Sequence, residues 1–386
     1  MNSPISNTPI FVPVAGLSLF AIASGYLMSL IPLSLSQFGL SSNLAPWLAS
    51  IFYLGLLIGA NGIESIVAKI GHRFSFILFL MLLSSTVLLM VVFPSNTIWL
   101  FSRFLAGIAI AGIFVVVESW LLIADTAKRR AKRLSFYMIA LYGGGALGQL
   151  GISHIGVDGS KPYIVICVLV LLAILPPLLI KKGQPDFHKQ QKISLSEIRH
   201  ISRPAIIGCI VSGLTLGPIY GLLPVYIKTQ TGNDNDTGLL MALVILGGMA
   251  VQPIVSYLSP RFNKSLLMAF FSLIGTLAIF TLIISNQNLM MTLAYTLLGG
   301  CVFALYPIAI SLACEALNST KIVAATQIML LSYSLGSVIG PIFALKFQSV
   351  QNSLLVYLGL CLTSTVIYML IKAVRAPKDQ QPLIMS

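Results

Sequence analysis

Charge is what this sequence has least of. Only 9% of its 386 residues are Asp, Glu, Lys or Arg, against about 25% in an ordinary soluble domain. Acids are the scarcer sign, 10 against 23 basic residues. With 57% hydrophobic residues and a mean hydropathy of +0.96, so few charges could not keep a soluble fold in water. A soluble enzyme, a disordered chain and a disulfide scaffold are excluded, and an integral membrane protein is left. Histidine is also rare: His72, His154, His188 and His200 all lie in polar stretches or near the ends of apolar runs. The cysteines (Cys167, Cys209, Cys301, Cys314, Cys361) are odd in number and show no C-x-x-C spacing. They read as small apolar packing residues, so no metal and no cofactor is expected. H-E-x-x-H, G-x-S-x-G and P-loop patterns are missing, which argues against an enzyme and an ATP-driven pump. Nothing resembles a selectivity filter, which argues against a passive channel.

What is there is a series of long apolar runs. A helix needs about 20 such residues to cross the hydrocarbon core. Twelve runs qualify: 10–35, 45–67, 75–94, 97–123, 134–156, 162–181, 205–228, 237–259, 264–285, 289–314, 323–347 and 352–374. They do not alternate in polarity as barrel strands do, so the fold class is all-α. The first run has no basic stretch or A-x-A cleavage pattern before it and is too long for a signal peptide, so it reads as a retained span. One polar, basic segment, 181–204, divides six runs from six. It predicts an N-terminal bundle over 1–180, a linker over 181–204, and a C-terminal bundle with a short tail over 205–386.

Lys and Arg concentrate in cytoplasmic loops. With the N-terminus inside, the inside segments hold nineteen of the 23 basic residues, and only Lys161, Lys228 and Lys346 fall outside. Arg103 lies within a run. Both termini are therefore expected in the cytoplasm. The net charge of +13 belongs to this topology and to anionic lipid. It does not point to nucleic acid.

The sequence also repeats itself. At an offset of 192 residues Gly16 meets Gly208, Gly25 meets Gly217, Pro32 meets Pro224 and Gly55 meets Gly247. Lys69 meets Arg261, Gly107 meets Gly299, Gly144 meets Gly336 and Gly148 meets Gly340. Each match is weak alone; the constant offset carries the argument. Two six-helix halves of equal topology read as parallel repeats about an axis along the membrane normal, with a substrate site near mid-membrane. Gly107, Gly144, Gly148, Gly336 and Gly340 are expected at close helix contacts. Pro32, Pro224, Pro307 and Pro341 are expected to bend helices.

A charge at mid-bilayer costs at least about 2.5–3.5 kcal/mol, so each one is a site candidate. Arg103 and Glu118 stand fifteen residues apart in the fourth run. That is ~22 Å along a helix and ~60° in azimuth, so they share an interior stripe but cannot pair. Arg103 reads as a coupling charge or anion contact, the alternative being a snorkelling or structural arginine bonded to backbone carbonyls. Glu118 reads as a proton carrier or as one half of a gate bridge with Arg73 or Arg133. Glu315 is expected to pair with Lys321 or the 261–264 loop, and Glu64 has similar status at the end of the second run. Candidates for lining a substrate cavity are Tyr26, Tyr53, Tyr137, Tyr220, Tyr226, Tyr306, Gln327 and Tyr333; anchoring between helices is the alternative for each tyrosine.

The 6+6 arrangement, the central basic segment and the repeat resemble the major facilitator superfamily and, within it, the YcaD-type transporters. The resembling stretches are Val115–Ser119, Leu134–Met138, Gly148–Leu150, Ser212–Tyr226, Leu305–Ala309, Ala313–Glu315 and Gln327–Pro341. In the loop after the second span the superfamily shows G-x-x-x-D-R-x-G-R/K. Here Lys69, Gly71 and Arg73 fit, whereas Glu64 replaces the first Gly and Ala68 the Asp. The second copy has Pro260 in place of the acid, so the usual Asp-centred latch is in question. Arg103 and Gly107 fit the R-x-x-x-G signature of span 4, which in the superfamily is associated with proton coupling. The resemblance also makes spans 1, 4, 7 and 10 cavity-lining, which favours Tyr26, Arg103, Tyr220 and Tyr306.

The expectation is a monomeric secondary transporter in a bacterial inner membrane. It moves a small molecule by alternating access, is coupled to protons, and exports amphiphilic compounds. An uptake permease or uniporter for a small metabolite is the alternative, and a receptor or scaffold the remote one.

Overall fold

The computed structural model describes residues 11–375 except 60–61, 123–126, 180–201, 286, 316–318, 348–349 and 351, and leaves some further side chains within helices undescribed. Among the described residues every regular element is helical. The chain forms two compact units. One comprises Met1–Gln191 with Ile227–Ala242, the other Lys192–Tyr226 with Leu243–Ser386. The first holds α1 (Phe11–Leu33), α2 (Ala45–Gly59), α3 (Ile63–Val92), α4 (Asn96–Leu122), α5 (Ala127–Met138), α6 (Gly144–His154), α7 (Lys161–Leu172) and α8 (Leu175–Leu179). Next come α9 (Arg203–Thr231) and α10 (Asp234–Leu258), of which the facing ends fall in the first unit and the rest in the second. The second unit continues with α11 (Lys264–Ile284), α12 (Asn288–Cys314), α13 (Ser319–Leu345) and α14 (Ser353–Arg375).

These segments are helical because in hydrocarbon only a helix satisfies every backbone N–H and C=O within one segment. Among the described residues, eleven helices are long and apolar enough to cross a membrane. The fifth expected run is present as well, but a π turn over Ile139–Gly143 divides it into α5 and α6. That turn runs into Gly143, Gly144 and Gly145, where side chains do least to hold the α-helical spacing. The sixth run breaks at Ala173 and Ile174 into α7 and α8, because Pro176 and Pro177, four residues on, lack the N–H groups that the Leu172 and Ala173 carbonyls would accept from.

One boundary differs from the sequence reading. The second run was expected to continue to residue 67, but α2 ends at Gly59 and a new helix begins at Ile63. Gly59 and Gly62 flank the break, and glycine is the least favourable non-proline helix residue. Glu64 therefore opens α3 instead of closing α2; its side chain lies outside the described residues. The motif stretch expected to be a loop is helical up to Gly71, whose φ of 78° breaks α3 there. A residue with a Cβ is strained at that φ. The basic segment 181–204 lies outside the described residues, except for its last three positions.

Within each unit, glycines set the helix spacing. A Cβ on Gly55 of α2 would strike the Phe104 carbonyl of α4, and one on Gly107 would strike the Phe52 carbonyl of α2. Between α1 and α6 the same holds for Gly148 on Ile22 O and Gly25 on Gly145 O, while Gly144 sits over Ser18 O. In the second unit Gly247 meets Thr296 O, Gly299 meets Val244 O, Gly340 meets Leu214 O, Gly217 meets Ser337 O and Gly336 meets Ile210 O. All five contacts, glycine and facing carbonyl alike, recur at the 192-residue offset.

Candidate functional site

The intramembrane charges of the first unit lie on α4. Seven residues in from Asn96 stands Arg103, ~10 Å along the helix axis. It is 3% exposed. Its guanidinium carbon lies 4.2 Å from the centroid of the Phe52 ring, a cation–π contact across the α2–α4 interface. Nη2 donates to the Met28 sulfur at 3.7 Å, which is a weak acceptor. Neither Nε nor Nη1 has a hydrogen-bond partner among the described residues. The reading of Arg103 as an arginine tied to backbone carbonyls is thus not what the geometry offers.

The polar groups near this end of the unit are committed to one another. Tyr163 and Ser34 share a 2.5 Å hydrogen bond. Tyr26 donates to the Gly156 carbonyl at 2.5 Å. Ser29 donates to Gln149 Oε1 at 2.5 Å, and Gln149 Nε2 donates to the Gly25 carbonyl at 2.7 Å. Tyr26 and Gln149 are fully buried. Tyr26, expected to line a cavity, instead anchors α1 to the segment after α6; its ring also fills the space beside Gly151. Tyr53 is buried as well.

At the far end of α4 the Tyr137 hydroxyl donates to Glu118 Oε1 at 2.7 Å. Tyr137 is buried while the Glu118 side chain is exposed. The bond joins α4 to the last turn of α5, immediately before the π turn. Arg73, expected as a gate partner of Glu118, points elsewhere: Nε donates to Pro177 O and Nη2 to Leu178 O at 2.9 Å. It therefore binds carbonyls of the last turn of α8, where the helix end leaves no intrahelical N–H for them. Arg133 is buried one turn before Tyr137.

In the second unit Lys264 Nζ lies 2.6 Å from Glu315 Oε1, tying the start of α11 to the end of α12. The side chain of Lys321 lies outside the described residues. Tyr306 and Tyr333 bring their rings to 5.1 Å, and Tyr220 meets Phe303 edge-on at 6.0 Å. Tyr220, Tyr306 and Tyr333 are partly exposed and Gln327 is exposed, so they remain available as lining. Tyr226 donates to Asn352 Oδ1 at 2.9 Å and links α9 to the N-terminus of α14.

Sequence reasoning missed the partners that shape these sites. His72 looked like a loop residue, yet it is fully buried, with Nε2 3.1 Å from Ser119 Oγ and its ring 6.0 Å from Trp120. Phe52, Met28 and Tyr163 carried no signal because each is an ordinary residue in an apolar run. Ser29 with Gln149 was the one findable pair: two polar side chains inside apolar runs must bond something.

A family model described as Major Facilitator Superfamily matches residues 14–341 and 206–382. An uncharacterized MFS-type transporter of Enterobacter sp. is 33% identical over 357 residues, covering 90% of this chain and 91% of the relative. The uncharacterized MFS-type transporter YcaD of Salmonella enteritidis is 31% identical over 382 residues, covering 97% and 98%. Among solved structures, the nucleoside transporter NupG superposes with a TM-score of 0.80 at 11% identity, over 95% of this chain and 99% of that one. The E. coli fucose:proton symporter superposes with a TM-score of 0.61 at 16% identity, over 94% and 98%.

Proposed function

The chain belongs to the major facilitator superfamily, and from that premise we propose that it is a proton-coupled secondary transporter, exporting an amphiphilic small molecule across a bacterial inner membrane by alternating access. The observation that carries this reading is the pair of ionisable side chains on α4. Arg103 is buried within the span, and Glu118 is exposed and held by Tyr137. Ionisable groups inside a membrane are costly and mark ion and substrate paths. Glu118 supplies a carboxyl that can take up and release a proton, and the Tyr137 hydroxyl orients it. Arg103 supplies the fixed positive charge that a moving proton or substrate must answer. The partly exposed aromatic faces of Tyr220, Tyr306 and Tyr333 suit an apolar body and support an amphiphile over a sugar. The basic bias of the sequence supports two cytoplasmic termini, and the recurring glycine contacts support a pair of repeats.

The test is reconstitution of the pure protein in liposomes with a pH-sensitive dye inside. A proton gradient is imposed and a chemically mixed panel of solutes is screened. A solute that moves protons, with the opposite sign of flux, establishes proton-coupled export. Glu118→Gln should abolish proton-driven flux and keep solute exchange. Solute flux with no proton movement would overturn the coupling, and flux of the same sign would overturn export.

A further inference from the structure

We propose that Arg103 is a recognition point for a small monoanionic group, either the carboxylate of the transported amphiphile or a halide bound with it. The inference rests on the transporter reading and adds the chemical class of the ligand.

A guanidinium stays protonated in proteins and carries five N–H donors. Three of the five, one on Nε and two on Nη1, meet no acceptor among the described residues. The described partner of Nη2 is a thioether. The Phe52 ring covers one face of the guanidinium and cannot accept at its edge. Among the described residues no nearby hydroxyl or amide accepts from Nε or Nη1. Tyr163 is spent on Ser34, Tyr26 on Gly156, and Gln149 on Ser29 and Gly25.

The described carboxylates do not relieve it either. Glu118 is ~22 Å away along the same helix and bonded to Tyr137. Asp158 is exposed, and Asp234 lies 2.8 Å from Lys228. Among the described residues no ion pair reaches Arg103. A charge this buried is destabilising unless an opposite charge meets it, and breaking such a pairing is more costly than never building it. A carboxylate matches the guanidinium edge with two parallel N–H···O bonds, and a halide can sit on the same edge. One unit of negative charge neutralises the site; a dianion would leave a surplus in a setting of low dielectric. The aromatic ring beside the cation suits the apolar part of an amphiphile.

The experiment uses the full-length protein purified in detergent and follows its thermal unfolding midpoint. Sodium benzoate, sodium chloride and sodium sulfate are titrated at matched ionic strength. Selective binding to the folded state should raise the midpoint by a few degrees at about hundredfold excess over Kd. Benzoate alone raising it assigns the site to a substrate carboxylate; chloride alone raising it assigns a co-bound halide. The effect should vanish in Arg103→Gln and persist, weakened, in Arg103→Lys. An equal shift in Arg103→Gln, or equal shifts from all three salts, would overturn the proposal. If Arg103→Gln does not fold, the comparison of salts on the parent protein and on Arg103→Lys still decides it. The liposome assay separates this from the coupling reading. Arg103-dependent benzoate binding without proton movement keeps the anion site and removes the coupling. Proton movement driven by a neutral solute, with no anion effect on the midpoint, removes the anion site and keeps the coupling.

Discussion

Replace Gly107 with alanine and α2 has to move. The added Cβ would overlap the Phe52 carbonyl oxygen, and it would lie 2.7 Å from the Leu56 nitrogen and 3.0 Å from the Gly55 carbon. All three are backbone atoms, so no rotamer change can relieve the contact. Ordinary carbon contacts begin near 3.5 Å, so α2 and α4 must separate by about 1 Å at this point. Overpacking of this kind costs about 1–3 kcal/mol. Alanine's helix propensity returns about 0.8–1.0 kcal/mol, so the net destabilisation is about 0–2 kcal/mol, and the gap to a glycine with open space is about 1–3 kcal/mol. Separation also lifts Phe52 from the Arg103 guanidinium, since both sit on the same interface. Gly299→Ala should behave alike, because its Cβ meets the Val244 carbonyl at the equivalent place. Gly143→Ala is the control: a Cβ there meets nothing within 4 Å, and the change should be neutral or stabilising. Thermal unfolding in detergent, read by size-exclusion recovery, measures all three. Gly107→Ala as stable as Gly143→Ala would refute the reasoning.

Tyr137→Phe removes the described hydrogen bond to Glu118, a charge-assisted bond when the carboxyl is ionised. It should shift the pH profile of transport in liposomes without loss of folded protein; an unchanged profile would confine Tyr137 to packing. Gln149→Leu leaves the Ser29 hydroxyl without its acceptor and removes the side-chain bond to the Gly25 carbonyl, and should lower stability by about 1–3 kcal/mol, measured by the same unfolding assay. Lys264→Ala should cost less than about 1 kcal/mol, because Glu315 is 54% exposed and water screens the pair. A larger loss in that variant would mean that the bridge holds α11 and α12 in a way its exposure does not suggest.

The legible part of this protein was the part written in long runs. Helix number, class and the offset of the two glycine sets follow from apolar length and from residues that must be small. Boundaries were less legible. Gly59 and Gly62 were visible, but nothing in a hydropathy run says that two glycines three apart will end one helix and start the next. The site was legible in its charges, since Arg103 and Glu118 stand out among apolar neighbours. It was illegible in their partners. Tyr26 and Tyr220 look alike in sequence, yet one is sealed on a carbonyl and the other is partly open. Arg73 looked like the counter-charge of Glu118, and its described bonds go to the last-turn carbonyls of α8.

By itself, then, the sequence determined that the chain lives in a bilayer, that it crosses as helices, and which few side chains carry charge there. Those properties are sums over one segment: apolar transfer and backbone hydrogen bonding do not depend on which helix lies alongside. The tertiary structure decided that Phe52 and Met28 face Arg103, that Tyr137 holds Glu118, and that His72 is buried against Ser119. Those are pairings across helices, set by how closely glycines let backbones approach and by the angle at which each helix leaves its break. No property of a single segment encodes them.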